Sequence, residues 1–205
     1  MLALALANTE ADVDVLATPA ELAVWLSSNL DALGPVDDEV ALRLADFRSL
    51  RAAIRDAMSA GPAASPPERA VRALNEASAA VPTAPALENG PGGPVRVDRA
   101  TSSPSRTVEI LATIARSAIE LLGGPDRDRL RLCPATRCGK AFLASRGRQV
   151  WCSASCGNRM RVARHHARRT SATDPPGPTG AELGLDPSRI LPACRTPSRG
   201  IPSPS

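Results

Sequence analysis

The sequence predicts a mainly α-helical N-terminal domain with a short β-hairpin, then a small treble-clef-like zinc finger and a disordered C-terminal tail. Three observations carry this expectation. Apolar residues recur at helical spacing between cap and stop signals through the first part of the chain. Four cysteines stand as two close pairs, Cys133/Cys138 and Cys152/Cys156. From Ser171 the chain turns to Pro, Ser and Gly with little apolar content, which cannot build a core. The expected division is 1–125 for the helical domain, 127–170 for the finger and 171–205 for the tail.

Composition bounds the answer. The 205 residues leave room for one ordinary domain and a small module. Hydrophobic residues make up 43%, but aromatics only 2%. Alanine supplies much of the apolar count, so the core should be thin at ~25 cal/mol per Å² buried. Charge is uneven: residues 1–132 hold 13 basic and 18 acidic side chains, 133–169 hold 9 basic and none acidic, and the remainder balances. All the excess positive charge therefore sits in one short stretch, which points to a polyanionic partner. No segment approaches the ~20 apolar residues of a membrane span. Met1 to Ala7 is apolar but short, has no basic region before it and runs into Asn8, Thr9 and Glu10, unlike a signal peptide. A cytoplasmic protein with reduced cysteines is expected, and a metal site becomes their leading use.

The elements follow in order. Thr18-Pro19-Ala20-Glu21 has the residues of a capping box with proline at the first helical position. Leu22, Trp25, Leu26, Leu30 and Leu33 continue it at helical spacing until Gly34-Pro35. A second helix starts near Asp37. Val40, Leu44, Phe47, Leu50, Ile54 and Met58 form its apolar face, with Arg43, Arg48, Arg51 and Arg55 solvated. Ser65-Pro66-Pro67-Glu68 repeats the capping pattern ahead of a third helix lined by Val71, Leu74 and Val81. Residues 82–105 are rich in Pro, Gly and Ser, and Val95-Arg96-Val97 alternates as a short hairpin strand does. A fourth helix covers about 106–122, with Val108, Leu111, Ile114, Ala118 and Leu122 on its buried face. Trp25, Phe47 and Met58 read as core. Cys194 falls in the tail and reads as an unpaired thiol without a role.

Cys133-x4-Cys138, thirteen residues, then Cys152-x3-Cys156 matches the way tetrahedral Zn²⁺ is held: one turn supplies two ligands and the chain returns with two more. Gly139 suits a tight ligand-bearing turn through positive φ. Ser153 is placed to cap a helix, with Cys152 at its mouth and Cys156 one turn on. A Cys2His2 finger needs two spaced histidines, whereas His165 and His166 are adjacent. A redox pair is disfavoured because Cys-x-x-Cys is absent. Four thiolates leave zinc no open position for water, so the ion is structural and no enzyme is expected. The helical domain contains no histidine and shows no Ser/His or His/carboxylate set.

The stretch after Cys156 runs Gly157-Asn158-Arg159-Met160-Arg161-Val162-Ala163-Arg164-His165-His166-Ala167-Arg168-Arg169. Met160, Ala163 and Ala167 make a narrow apolar stripe. Arg159, Arg161, Arg164, Arg168 and Arg169 are the expected phosphate contacts, since guanidinium groups grip phosphate in bidentate fashion. Asn158 is placed to reach a base edge. Arg146 and Arg148 add to the patch. A solvated charged helix, or docking onto the acidic N-terminal domain or another acidic protein, is the competing reading. Trp151 reads as packed on the zinc module rather than stacked on a base.

These residues carry a family resemblance. Arg131-Leu132-Cys133-Pro134, Cys138-Gly139, Phe142, Trp151-Cys152-Ser153 and Cys156-Gly157-Asn158-Arg159 resemble the bacterial CGNR zinc-finger family, named for the residues at 156–159. Leu2 to Thr9, Leu16 to Leu22 and Leu50 to Arg55 are similar to that family's N-terminal ABATE domain. The family's apolar start commonly carries an acid where this chain has Ala5. The resemblance implies a stress-related transcription regulator whose finger binds DNA. The competing class is a zinc-stabilised protein–protein interaction module without nucleic-acid contact. The N-terminal domain would sense a signal or form a homodimer.

Overall fold

A computed structural model describes residues 1–173 apart from Asp12, Pro62 and Ser103. The tail is expected from 171, but 171–173 continue the last helix; the expectations for the rest of the tail and for Cys194 lie outside the described residues. The chain divides into two units, the first Met1–Ala163, the second beginning at Arg164.

The first helix of the structure, α1 (Leu2–Ala7), is the apolar run at the chain start. Leu2, Ala3, Leu6 and Ala7 are all buried in it. The capping box then forms as its residues require. The Glu21 N–H donates to Thr18 Oγ1 at 3.3 Å, and the Thr18 N–H returns to Glu21 Oε2 at 2.8 Å. It starts α2 (Pro19–Ser27), followed by the single turn α3 (Leu30–Leu33), which Gly34 ends at φ 73°.

Asp37 caps α4 (Asp38–Ala41) by accepting from the Val40 N–H at 3.2 Å. The helix expected from this point is broken at Leu42-Arg43 and resumes as α5 (Leu44–Ser59). Next comes α6 (Glu68–Ala79), whose cap position is Pro67; Ser65 makes no cap bond, because the extended Pro-Pro pair carries it away from the first turn.

The Pro/Gly segment is a longer hairpin than expected. β1 (Thr83–Gly90) pairs antiparallel with β2 (Gly93–Ala100), in register from Thr83–Ala100 to Gly90–Gly93. α7 (Arg106–Gly123) is the fourth long helix. It buries Ile110, Ile114, Ala118 and Leu121 more deeply than Val108, Leu111 and Leu122.

These helices build one core. α1 packs against α5 and α7, and α6 packs across both. Leu6, Leu22, Phe47, Ile54, Met58, Leu74, Ile110 and Ile114 fill the space between them. Trp25 meets Phe47 edge-on at 6.5 Å. The second small sheet belongs to the finger: β3 (Leu130–Leu132) pairs antiparallel with β4 (Ala141–Leu143). Its Leu130 and Ala141 join the same buried cluster as the helices. α8 (Ala154–Thr173) closes the described chain. No helix among the described residues is long and apolar enough to cross a membrane.

Arg51 departs from its expected solvated position. It is 3% exposed, with Nη1 2.6 Å from Asp14 Oδ1 and 3.1 Å from Thr9 Oγ1. Its Nε lies 3.2 Å from Glu10 Oε2 without hydrogen-bond alignment. The Arg51 guanidinium holds the Asp14 carboxyl down at about 2, and the Leu16 N–H also donates to it. Arg55 is half-buried and donates to the Ala7 carbonyl at 2.8 Å. Both arginines fix the loop that follows α1.

Candidate functional site

The β3–β4 turn carries the first ligand pair. The Cys133 N–H donates to the Lys140 carbonyl at 2.8 Å, and the Cys138 N–H to the Ala135 carbonyl at 2.9 Å. Tightening the loop this far takes two left-handed residues, Arg137 at φ 60° and Gly139 at φ 59°. A side chain at Gly139 would press on the Ala11 carbonyl, 3.3 Å from its Cβ, so the glycine also permits close approach to the loop after α1.

The second pair sits at the mouth of α8. The Ser153 hydroxyl accepts from the Cys156 N–H at 3.3 Å, the cap expected from the sequence. Cys152 Sγ lies 3.6 Å from Cys138 Sγ and 3.7 Å from Cys156 Sγ. All four sulfurs, Cys133 included, lie within 4.8 Å of one another. Zn–S bonds of ~2.3 Å in a tetrahedron put sulfurs about 3.8 Å apart, so the spacing fits the ion. The acid–base chemistry fits as well. Burial pushes the Cys138 thiol up and the Cys152 thiol up to about 12, while the Ser153 hydroxyl draws Cys156 down to about 7. Four thiols this close become thiolates together only when a cation compensates them. The four cysteines thus form a structural Zn²⁺ site with no position left for a substrate.

The residues at 156–159 each do something distinct. Cys156 is a ligand. Gly157 makes space: a Cβ there would lie 3.1 Å from Trp151 Cδ1. Trp151 packs against the cysteine cluster, as expected. Asn158 Oδ1 accepts from Arg161 Nη1 at 2.8 Å. Arg159 turns back to the metal site, donating to the Thr136 carbonyl at 3.1 Å and to Cys156 Sγ at 3.7 Å. Thr136 Oγ1 in turn donates to Met160 Sδ at 3.7 Å. Arg159 therefore ties the helix to the knuckle, a role the sequence did not disclose. Arg161 is exposed in the first unit; Arg164, Arg168 and Arg169 are exposed in the second.

A residue outside the finger completes the site. Asn8 Nδ2 donates to the Ala141 carbonyl at 2.9 Å, and the Ala141 N–H donates to Asn8 Oδ1 at 2.8 Å. The amide behaves as a one-residue strand added to β4. Sequence reasoning missed it because 133 positions separate the partners.

A two-cysteine knuckle on a short hairpin, followed by a helix with one ligand at its mouth and one in its first turn, defines a treble-clef-type zinc finger. The chain belongs to the ABATE family: that family's model, described as "Putative stress-induced transcription regulator", matches residues 1–125, and the CGNR zinc-finger model matches residues 129–169. Neither description names a catalytic activity. No curated protein matches the chain.

Proposed function

We propose that this protein is a cytoplasmic DNA-binding transcription regulator in which the zinc site holds the start of an arginine-rich helix for contact with the phosphate backbone. The observation that carries this reading is the charge of the finger: residues 133–169 hold nine cations and no carboxylate, and the metal site fixes the α8 start among them. Arg161, Arg164, Arg168 and Arg169 are the proposed phosphate contacts. Asn158 reaches a base edge through its amide Nδ2 while its Oδ1 keeps hold of Arg161. Arg159 contributes its positive field while it braces the knuckle.

The helical N-terminal domain supplies the regulatory input, by taking a signal or by pairing with a second copy. An open apolar cleft of about 430 Å³ beside Val15, Val24 and Trp25 supports either use. The test is binding of the full chain to a fluorescent duplex across a salt series. Binding should weaken steeply, with log K falling by ~0.9 per phosphate contacted for each tenfold rise in salt. No binding at ~50 mM salt, where such contacts are strong, leaves the zinc-stabilised protein-interaction module as the reading.

A further inference from the structure

The loop between β4 and α8 is built with more care than a linker needs. Gln149 Oε1 accepts from the Ser145 N–H at 2.9 Å and from the Ser145 hydroxyl at 3.0 Å. Gln149 Nε2 donates to the Trp151 carbonyl at 3.1 Å, and the Gln149 N–H donates to the Arg146 carbonyl at 2.9 Å. One amide side chain thereby ties the two ends of the loop together from inside. Arg148 is left on the exposed rim, and Trp151 is set against Gly157.

Between this loop and the first turns of α8 lies an open cleft of about 420 Å³. Arg148 stands on its loop side and Arg161 on its helix side; Trp151 and Val150 give it an apolar wall. Among the described residues no carboxylate lines it. Arg161 is held in place by Asn158, so its guanidinium is oriented before any ligand arrives. Two cations facing one recess with an aromatic wall suit a ligand that is anionic at its edge and apolar beside it. A sugar–phosphate unit has that character, and a bare acidic side chain lacks the apolar part.

The geometry points to this cleft as the place where the finger grips DNA: one phosphodiester is held between Arg148 and Arg161, with its deoxyribose against Trp151. The inference rests on the DNA-binding reading above. It adds a loop residue, Arg148, and an aromatic wall to contacts otherwise confined to the helix. Gln149 is a positioning residue, because it acts through the loop it braces.

The test uses full-length zinc-loaded protein and a fluorescein-labelled mixed-sequence duplex. Arg148→Gln should weaken binding about tenfold and reduce the salt slope by about 1, the signature of one lost phosphate contact. Arg96→Gln on the β-hairpin removes the same charge outside the finger and should leave both unchanged. In a Trp25→Phe background, Trp151 emission should change on titration with DNA. Gln149→Met removes both polar ends without adding charge, and should weaken binding while Trp151 emission shifts and zinc content stays intact; unaltered binding removes Gln149 from the positioning role.

DNA binding that persists unaltered in Arg148→Gln, or with no change in Trp151 emission, overturns the cleft and leaves the helix reading standing. No binding by the unmodified protein at low salt overturns both. Competition by poly-glutamate as effective as DNA at equal charge shows that the recess reads charge alone, and the assignment fails.

Discussion

Truncating Asn8 tests whether the finger is docked onto the helical domain or merely tethered to it. The side chain makes two hydrogen bonds, 2.9 and 2.8 Å, to the two peptide groups of Ala141, a residue only 3% exposed. Each such bond contributes about 1 kcal/mol net, and a buried peptide group left without a partner costs about 1–3 kcal/mol. Partial entry of water into the space left by the amide trims that total. Asn8→Ala should therefore lose about 3 kcal/mol. Asn8→Asp still accepts from the Ala141 N–H but sets a carboxylate oxygen against its carbonyl, so it should fall near the alanine variant. Urea unfolding of the zinc-loaded protein measures both: the midpoint should shift with the slope unchanged. Zinc release to a chromogenic chelator should accelerate in parallel, because β4 carries the knuckle. A loss under about 0.5 kcal/mol, the ordinary range for a surface change, would refute the argument that this amide welds the two parts.

Other outcomes follow from the same structure. Asp14 has its carboxyl lowered from 3.8 to about 2 by Arg51, so its contribution is complete above pH 3.8 and is lost as pH falls toward 2. That shift is worth about 2 kcal/mol before screening at its partly exposed side chain; the stability gap between the natural protein and Asp14→Asn should close over that window. Arg51→Met should cost about 2 kcal/mol by removing the buried cation between Asp14 and Glu10, which keep only the longer contacts of Arg48 at 3.3 Å and Arg55 at 3.8 Å, read by thermal unfolding. Gly157→Ala sets a methyl against the Trp151 ring, 3.1 Å from Cδ1. The crowding should outweigh the ~1 kcal/mol helix-propensity gain, shifting Trp151 emission and lowering stability by about 1 kcal/mol.

Local chemistry was legible in the sequence where neighbours along the chain are also partners in space. The Thr18–Glu21 box, the Gly34 stop and the Ser153 cap each involve residues within a turn, and each forms as expected; the helix start expected near Asp37 is made by Asp37 as its cap. The metal ligands were legible for a related reason: zinc demands a ligand spacing that little else imposes. The helix break at Leu42-Arg43 carried no glycine or proline to mark it. α1 was hidden because Leu-Ala alternation over six residues fits a strand period as well as a helix fully surrounded by core. The hairpin was under-read because Pro85, Glu88 and Pro94 are poor strand formers; cross-strand pairing, with Glu88 bonded to Arg99, overrides their preference. Arg51 looked like its neighbours on α5, and only Asp14, 37 positions earlier, explains its burial. The Arg159 contact to Cys156 Sγ was closer at hand, but nothing in an arginine's spacing tells a phosphate ligand from a brace.

The central claim is that four thiolates grip one zinc ion and that this grip sets the start of α8. Metal analysis of reduced, purified Trp25→Phe protein combined with near-ultraviolet circular dichroism tests it most directly, because Trp151 packs on the cysteine cluster and is then the remaining tryptophan. One zinc per chain, with the Trp151 signal and duplex binding both lost on chelation and regained on zinc return, is the expected result. Metal-free protein with an unaltered tryptophan signal and unaltered duplex binding would contradict it.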